Sequence, residues 1–148
     1  PGAEGLVRIL KHLGYKIAIV SGGFQFFIDK LKEKYGLDYG FANSLKIEKE
    51  ILTGEIEGDI VDAQTKEKLL VSLAEKEGIS LKQVVAVGDG ANDIYMLAAA
   101  GLGIAFNAKP IVQQHVQASI NISNLELILY FLGISGKELK ELRRVTQP

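Results

Sequence analysis

A short run of apolar residues that ends in an acidic turn constrains the fold more than any other feature. Residues 84–87 read Val-Val-Ala-Val, and such a run is typical of a strand buried inside a parallel sheet. It leads into residues 88–90, Gly-Asp-Gly, a predicted sharp turn, and then into a helix predicted to begin near Asn92. Ligands bind at the carboxyl ends of strands in open α/β sheets. Asp89 is therefore the first candidate for a functional residue, and Asp93, one helical turn later, is the second.

Predicted strands and helices alternate along the chain. The pattern of apolar residues predicts strands at 16–20, 84–87, 101–106 and 119–122, and helices at 3–14, 24–36, 63–77, 92–100, 110–115 and 128–132. Between them, residues 41–47 and 51–56 predict a β-hairpin or another pair of extended segments. Helix 24–36 is expected to bury Phe27, Ile28 and Leu31. This alternation indicates an α/β fold with a mainly parallel sheet.

Composition narrows the kinds of site that the chain can build. The sequence contains no cysteine and only two histidines, which excludes disulfides and thiolate chemistry and argues against a multi-histidine metal site. A bound metal is therefore expected to be a hard cation held by carboxylates, with Mg²⁺ the best match. A formal net charge of −1 gives no reason to expect nucleic acid or an anionic membrane as a partner. No apolar run is long enough to span a membrane, and the cytoplasm is the default expectation for location.

Two further groups of polar residues follow predicted strands or begin predicted helices. Residues 21–23, Ser-Gly-Gly, follow a strand directly, and their backbone N–H groups and the Ser21 hydroxyl could bind an anion. Equally, Ser21 could simply cap the next helix. Lys66 lies early in helix 63–77, where the helix dipole disfavours a cation, so it could neutralise a phosphate. Taken alone, however, Lys66 is better interpreted as a solvated surface lysine.

The acidic turn is more informative. Asp89 and Asp93 are four residues apart and could share a cation or its waters, and Asn92 could donate or accept hydrogen bonds at the helix start. The alternative is an ordinary Asp turn followed by an N-cap. Because this cluster ends an apolar strand, a functional role is favoured.

These three groups, in this order, resemble the haloacid dehalogenase superfamily and, more narrowly, its phosphoserine phosphatase family. The matching segments are residues 1–3 (Pro-Gly-Ala), 20–24 (Val-Ser-Gly-Gly-Phe), 42–45 (Ala-Asn-Ser-Leu), 60–66 (Ile-Val-Asp-Ala-Gln-Thr-Lys), 87–93 (Val-Gly-Asp-Gly-Ala-Asn-Asp) and 101–110 (Gly-Leu-Gly-Ile-Ala-Phe-Asn-Ala-Lys-Pro). The resemblance implies a three-layer, Rossmann-like, mainly parallel sheet. It identifies residues 1–132 as part of a haloacid dehalogenase-like core and leaves 133–148 as a charged tail, expected to be frayed after Gly136.

The resemblance also implies an activity and residue roles. The implied enzyme is a Mg²⁺-dependent phosphatase of L-serine biosynthesis that hydrolyses O-phospho-L-serine through an aspartyl-phosphate intermediate. In this pattern Ser21 and Gly22 bind the transferring phosphoryl group and the substrate. Lys66 neutralises the phosphate and the intermediate, and Asn92 contacts the substrate. The implied metal ligand is Asp89.

Asp93 would hold the water shell of the metal or orient Lys66. Two other functions stay open: a phosphatase of the same superfamily for another small metabolite, and a non-catalytic domain that binds phosphate and Mg²⁺.

The sequence departs from the family pattern in one respect. The family's nucleophile and general acid are two aspartates in an Asp-x-Asp-x-Thr motif on the first strand, and no Asp-x-Asp occurs in residues 1–148. That strand and the substrate-selecting cap are expected upstream of Pro1, so the fragment alone is expected to be inactive. The absent strand would lie between the strands that end at Val20 and Val87, leaving two unpaired edges. Instability, or association through that gap, is therefore expected.

Overall fold

The strands form two separate three-stranded sheets. The computed structural model describes residues 1–147, and its strands are β1 (Ala18–Phe24), β2 (Tyr39–Glu48), β3 (Ile51–Glu57), β4 (Val85–Gly88), β5 (Leu102–Phe106) and β6 (Ala118–Ile120). In the first sheet β1 pairs in parallel with β2, and β2 pairs antiparallel with β3. In the second sheet β4, β5 and β6 are all parallel, in that order. Strands β1 and β4 therefore each lie at the edge of a sheet.

Helices connect the strands as the α/β pattern predicts. They are α1 (Ala3–His12), α2 (Gln25–Tyr35), α3 (Ala63–Lys76), α4 (Ile94–Ala99), α5 (Pro110–Gln113), α6 (Ile128–Phe131) and α7 (Gly136–Val145). Local signals set several of their ends. The Asp62 carboxylate accepts a hydrogen bond from the Thr65 amide (2.8 Å) and caps α3. Gly36 ends α2 in the left-handed conformation that glycine adopts readily.

The predicted hairpin is confirmed as β2 and β3. Its turn is made by Lys49 and Glu50, both with positive φ values of 50° and 65°. Two such residues in succession match the right-handed twist of paired strands, although asparagine and glycine are the usual occupants. All seven residues of β3 are exposed, so the hairpin projects from the core.

The hydrophobic core is concentrated around the second sheet. On one face Ile9 of α1, Ile104 of β5 and Leu129 of α6 pack together, each with 1% exposure or less. On the other face Leu97 of α4 and Val112 of α5 form a second buried cluster. Strands β4 to β6 therefore lie between two helical layers, which is the three-layer arrangement expected.

The tail after Gly136 is not frayed, so that expectation was wrong. It forms α7, whose first turn carries a reciprocal pair of hydrogen bonds between Ser135 and Glu138. Leu139 is 2% exposed and joins the core cluster that includes Ile9. Although six of the ten residues of α7 are charged, Leu139 and Leu142 lie three residues apart and give it one apolar face.

Two further expectations fail in the first sheet. Helix α2 buries Ile28 but leaves Phe27 61% exposed and Leu31 38% exposed. Strand β1 begins later than predicted and continues through residues 21–24, and only its middle is partly buried. Strand β1 has no partner on its outer side in the described sheets, and no element of residues 1–147 covers Phe27 or Leu31.

The total exposed surface is large for the size of the chain. The described residues expose 9343 Å², whereas a compact monomer of 16.1 kDa exposes about 7,400 Å². The open edges of β1 and β4 and the exposed side of α2 contribute to this excess. Among residues 1–147, no helix combines the length and apolar character needed to cross a membrane.

Candidate active site

A buried ion pair joins α3 to the turn after β4. The Lys66 Nζ atom donates a hydrogen bond to the Asp93 Oδ1 atom at 2.7 Å, and the two side chains are 6% and 7% exposed. Lys66 lies on the same face of α3 as the buried residues Leu70 and Ala74, at intervals of four residues. The interpretation of Lys66 as a solvated surface lysine is therefore wrong. A buried pair in this setting has a strong mutual attraction, because little water screens it.

The Asp93 carboxylate also holds the shape of the turn. Its Oδ2 atom accepts hydrogen bonds from the backbone amides of Asp89 and Gly90, both at 3.1 Å. The carboxylate lies so close to Gly88 that a Cβ atom there would meet the Asp93 Cβ atom at 2.6 Å. Residues 91–93 form a 3₁₀ turn, and α4 starts only at Ile94. Both oxygens of Asp93 are thus bound by protein groups, and Asp93 supports Lys66 and the turn.

Asp89 and Asn92 remain exposed at the carboxyl end of β4. Among residues 1–147, the Asp89 carboxylate has no hydrogen bond or ion pair, and it borders an open cavity of about 380 Å³ next to Phe106 and Asn107. The described residues hold no cluster of three acidic or histidine side chains placed to bind a metal. Asp89 is therefore a carboxylate without a protein partner among the described residues, with open space beside it.

Residues 21–23 belong to β1 and form an irregular segment within it. The register with β2 shifts between Val20 and Phe24, and the Ser21 Oγ atom accepts a hydrogen bond from the Gly23 amide at 3.0 Å. Helix α2 begins only at Gln25, and its N-cap Phe24 makes no side-chain hydrogen bond. The interpretation of Ser21 as a helix cap is therefore wrong. Ser21 is half-buried and Gly22 is exposed.

Helix α3 and the loop before it lie between the Ser21 segment of β1 and the turn after β4. Helix α3 contacts β1 on one side and the 3₁₀ turn at 91–93 on the other. A Cβ atom on Gly22 would lie 3.6 Å from the Val61 carbonyl oxygen, one residue before the α3 cap. Helix α3, which carries Lys66, thus connects the strand that carries Ser21 with the turn that carries Asp89.

Asn43 lies in the centre of this arrangement, although no sequence pattern predicted a role for it. Asn43 is 5% exposed, one of three buried polar or charged residues among those described, together with Lys66 and Asp93. Its side chain hydrogen-bonds both Gly22 and Val61. The available signal was an asparagine inside a predicted strand, a position that asparagine rarely favours.

The fold and these motifs define a known class of protein. The chain matches the haloacid dehalogenase-like hydrolases over residues 1–101, and it belongs to that family. It is 56% identical over 124 residues to a phosphoserine phosphatase of Archaeoglobus fulgidus, an alignment that covers 84% of this chain and 36% of the relative. It is 49% identical over 140 residues to a phosphoserine phosphatase of Streptomyces coelicolor, covering 95% of this chain and 34% of the relative.

A solved structure described as a substrate-bound phosphoserine phosphatase complex has the same fold. It superimposes with a TM-score of 0.83 at 48% identity, over 88% of this chain and 62% of the solved chain. These comparisons confirm the resemblance that the motifs indicate. The chain spans about a third of the length of the two curated relatives named above.

Proposed function

We propose that this chain is part of a Mg²⁺-dependent phosphomonoester hydrolase that acts on O-phospho-L-serine in L-serine biosynthesis. The reaction would proceed through an aspartyl-phosphate formed on an aspartate upstream of residue 1, since no Asp-x-Asp occurs in the 148 residues. The observation that carries the proposal is the buried Lys66–Asp93 pair, 2.7 Å long, at the carboxyl end of β4. A lysine that is desolvated and fixed in this way is suited to stabilise negative charge that develops during phosphoryl transfer.

Each polar group has hydrogen-bonding capacity left for a phosphoryl group. Lys66 has three N–H donors, and its one hydrogen bond among the described residues is to Asp93, so further donors can point at phosphoryl oxygens. The Ser21 oxygen already accepts a bond from Gly23, so its own proton is free to be donated to the phosphoryl group. Gly22 has no side chain to block the approach of a ligand to the backbone. Asn92, exposed beside the turn, would contact the substrate.

The donor set fits a magnesium ion. Mg²⁺ typically keeps several waters and binds one or two carboxylates together with substrate phosphate oxygens, and Asp89 is an exposed carboxylate without a protein partner among residues 1–147. Asp89 would hold the ion, and a bound Mg²⁺ would neutralise charge on the transferring phosphoryl group. Asp93 would keep Lys66 and the backbone of the turn in place beside that site.

The experiment is a hydrolysis assay of the full-length protein, with an upstream Asp-x-Asp-x-Thr segment included. We expect release of phosphate from O-phospho-L-serine that depends on Mg²⁺ and stops with a chelator. Asp89→Asn should abolish this turnover, and Lys66→Ala should slow it by about 10²–10³-fold, the usual effect of removing one charge-stabilising donor. Asp59→Asn, which alters another exposed acid outside the site, is the matched control and should leave the rate unchanged.

Other outcomes distinguish the alternatives. Hydrolysis of a different phosphomonoester but not of phosphoserine would identify a phosphatase for another small metabolite. The second alternative is a domain that binds phosphate and Mg²⁺ without turnover. Phosphate binding by a full-length protein that hydrolyses none of the monoesters would support it. A wild-type rate in either the Asp89 or the Lys66 variant would refute the site assignment.

A further inference from the structure

We propose that Asn43 is a positioning residue that aims the Ser21 hydroxyl at the phosphoryl group and sets the distance between Ser21 and Lys66. The proposal rests on the function proposed above and assigns to it a residue that touches neither substrate nor metal. Asn43 lies on β2, and its side chain is buried between the strand that carries Ser21 and the loop that leads into α3.

Both ends of the Asn43 amide are used. Its Nδ2 atom donates to the Gly22 carbonyl oxygen at 2.9 Å, and its Oδ1 atom accepts from the Val61 amide at 2.7 Å. The bond to Val61 is buried, so the Val61 N–H would stay unsatisfied without its partner, whereas the bond to Gly22 is part-buried. Asparagine supplies a donor and an acceptor on one short planar side chain, which is what these two backbone groups require.

The bond to Gly22 fixes the Ser21 hydroxyl through one peptide group. The Gly22 carbonyl and the Gly23 N–H belong to the same planar unit and point in opposite directions. Holding the carbonyl on Asn43 therefore aims the Gly23 N–H, which donates to the Ser21 Oγ atom at 3.0 Å. With that lone pair occupied, the hydroxyl proton of Ser21 is left to be donated to a ligand.

The segment needs this support, since little else restrains it. The pairing of β1 with β2 is interrupted between Val20 and Phe24. Two of the three residues inside the interruption, Gly22 and Gly23, are glycines, which are the least restricted residues in backbone conformation. The outer edge of β1 has no strand partner in the described sheets.

The bond to Val61 connects the same side chain to Lys66. Val61 precedes Asp62, whose side chain caps α3 and whose carbonyl oxygen accepts a hydrogen bond from the Lys66 amide at 3.0 Å. Asn43 thus holds the start of α3 against the Ser21 segment. Ser21 and Lys66 come from different elements, and Asn43 provides a buried side-chain link between them.

The main test is Asn43→Asp in the full-length protein, because aspartate has nearly the same shape. A carboxylate can still accept from Val61 but cannot donate to the Gly22 oxygen. We expect the dissociation constant for inorganic phosphate to rise by about tenfold or more, from the lost hydrogen bond and from the added negative charge, and Asn43→Ser, which adds no charge, to show the part that comes from the bond. In ¹H–¹⁵N spectra the Gly23 amide should shift and exchange faster with solvent.

Two controls separate positioning from stability. Ser44→Ala changes the next residue of β2, which makes no side-chain hydrogen bond among the described residues, and should leave phosphate binding unchanged. Ile28→Val removes a buried methylene on α2, close to Gly40 of β2, and should lower stability without changing phosphate affinity or the Gly23 signal. Because part of the effect of Asn43 acts through Ser21, Asn43→Asp should weaken phosphate binding less in a Ser21→Ala background than in wild type.

The results can overturn the inference in three ways. Equal phosphate affinities for Asn43→Asp and wild type would refute it, and so would equal losses in Asn43→Asp and Ile28→Val. If Asn43→Asp does not fold, Asn43→Ser, which is too short to bridge both groups, gives the same readouts. A wild-type full-length protein that neither binds phosphate nor hydrolyses phosphoserine would refute the proposed function and this inference with it.

Discussion

Removing the charge of Lys66 should be one of the most damaging single changes in the protein. Lys66→Met keeps the length and apolar stem of the side chain but leaves the Asp93 carboxylate buried without its cation. Both partners are nearly inaccessible, at 6% and 7% exposure, so solvent cannot screen the uncompensated charge. Breaking a buried pair by removing one partner costs about 3–5 kcal/mol. Because Asp93 keeps hydrogen bonds from two backbone amides, we expect a loss of about 3 kcal/mol.

Urea denaturation of the purified full-length protein, followed by circular dichroism, measures this loss of stability. With a slope of about 2 kcal/mol per molar urea, a loss of this size lowers the midpoint by about 1.5 M. Lys68→Met is the matched control, because Lys68 lies on the same helix but is exposed, and its effect should stay within about 0.5 kcal/mol.

A double-mutant cycle tests whether the loss comes from the pair itself. Asp93→Asn keeps an oxygen that can accept from the Asp89 and Gly90 amides but removes the negative charge. Combined with Lys66→Met, it should restore more than about 1 kcal/mol relative to the sum of the two single losses. A loss below about 1 kcal/mol for Lys66→Met, as exposed ion pairs show, or purely additive effects, would refute the buried-pair interpretation.

Three further predictions concern α3, the tail and the sheet edges. The amide of Thr65 lowers the pKa of Asp62 below its usual 3.8, so this cap stabilises the protein above the unfolded-state pKa, and the stabilisation disappears as the pH falls through the lower folded-state pKa. The urea midpoint of wild type should therefore drop on acidification more than that of Asp62→Asn. Equal pH profiles for the two proteins would contradict this. Leu139 is 2% exposed, so Leu139→Ala should lower the free energy of unfolding by about 2–5 kcal/mol. Leu13→Ala, at an exposed leucine, is the control and should have a small effect. No loss of stability in Leu139→Ala would mean that α7 does not pack on the core. The 148-residue chain alone should associate or unfold readily because β1 and β4 have unpaired edges, and a clean monomer that melts cooperatively in sedimentation and thermal experiments would contradict that.

Much of the fold could be predicted because the apolar pattern is strong around the second sheet. The strand at 84–87 and the helix at 63–77 were predicted to within one or two residues. The strand is a continuous apolar run that ends at a glycine, and the helix has apolar residues at helical spacing after an acidic cap. The predictions were poorer for apolar residues that no element of the described chain covers. Phe27 and Leu31 have the spacing of core residues, but no element of the described chain covers them.

The candidate site residues also differ in whether they could be predicted from the sequence. Asp89, Asn92 and Asp93 could be selected because they follow a buried strand, and Ser21 and Gly22 because they follow the strand predicted at 16–20, although in the structure they belong to β1. Lys66 could not be selected from its own neighbours, since a lysine early in a helix is usually solvated. Its importance depends on Asp93, 27 residues away, which approaches to 2.7 Å only when α3 packs against the turn after β4.

The alternation of strands and helices, the polar residues at strand ends and the family membership could all be inferred from the amino-acid sequence alone. These properties are local, because they depend on the spacing of apolar residues and on short motifs. Three properties required the folded structure: Asp93 hydrogen-bonds both the turn and Lys66, Asn43 connects the Ser21 segment to the start of α3, and the strands divide into two sheets. Those properties arise from contacts between distant segments, and burial gives each contact its energetic weight, since a polar group that is removed from water must find its partner within the fold.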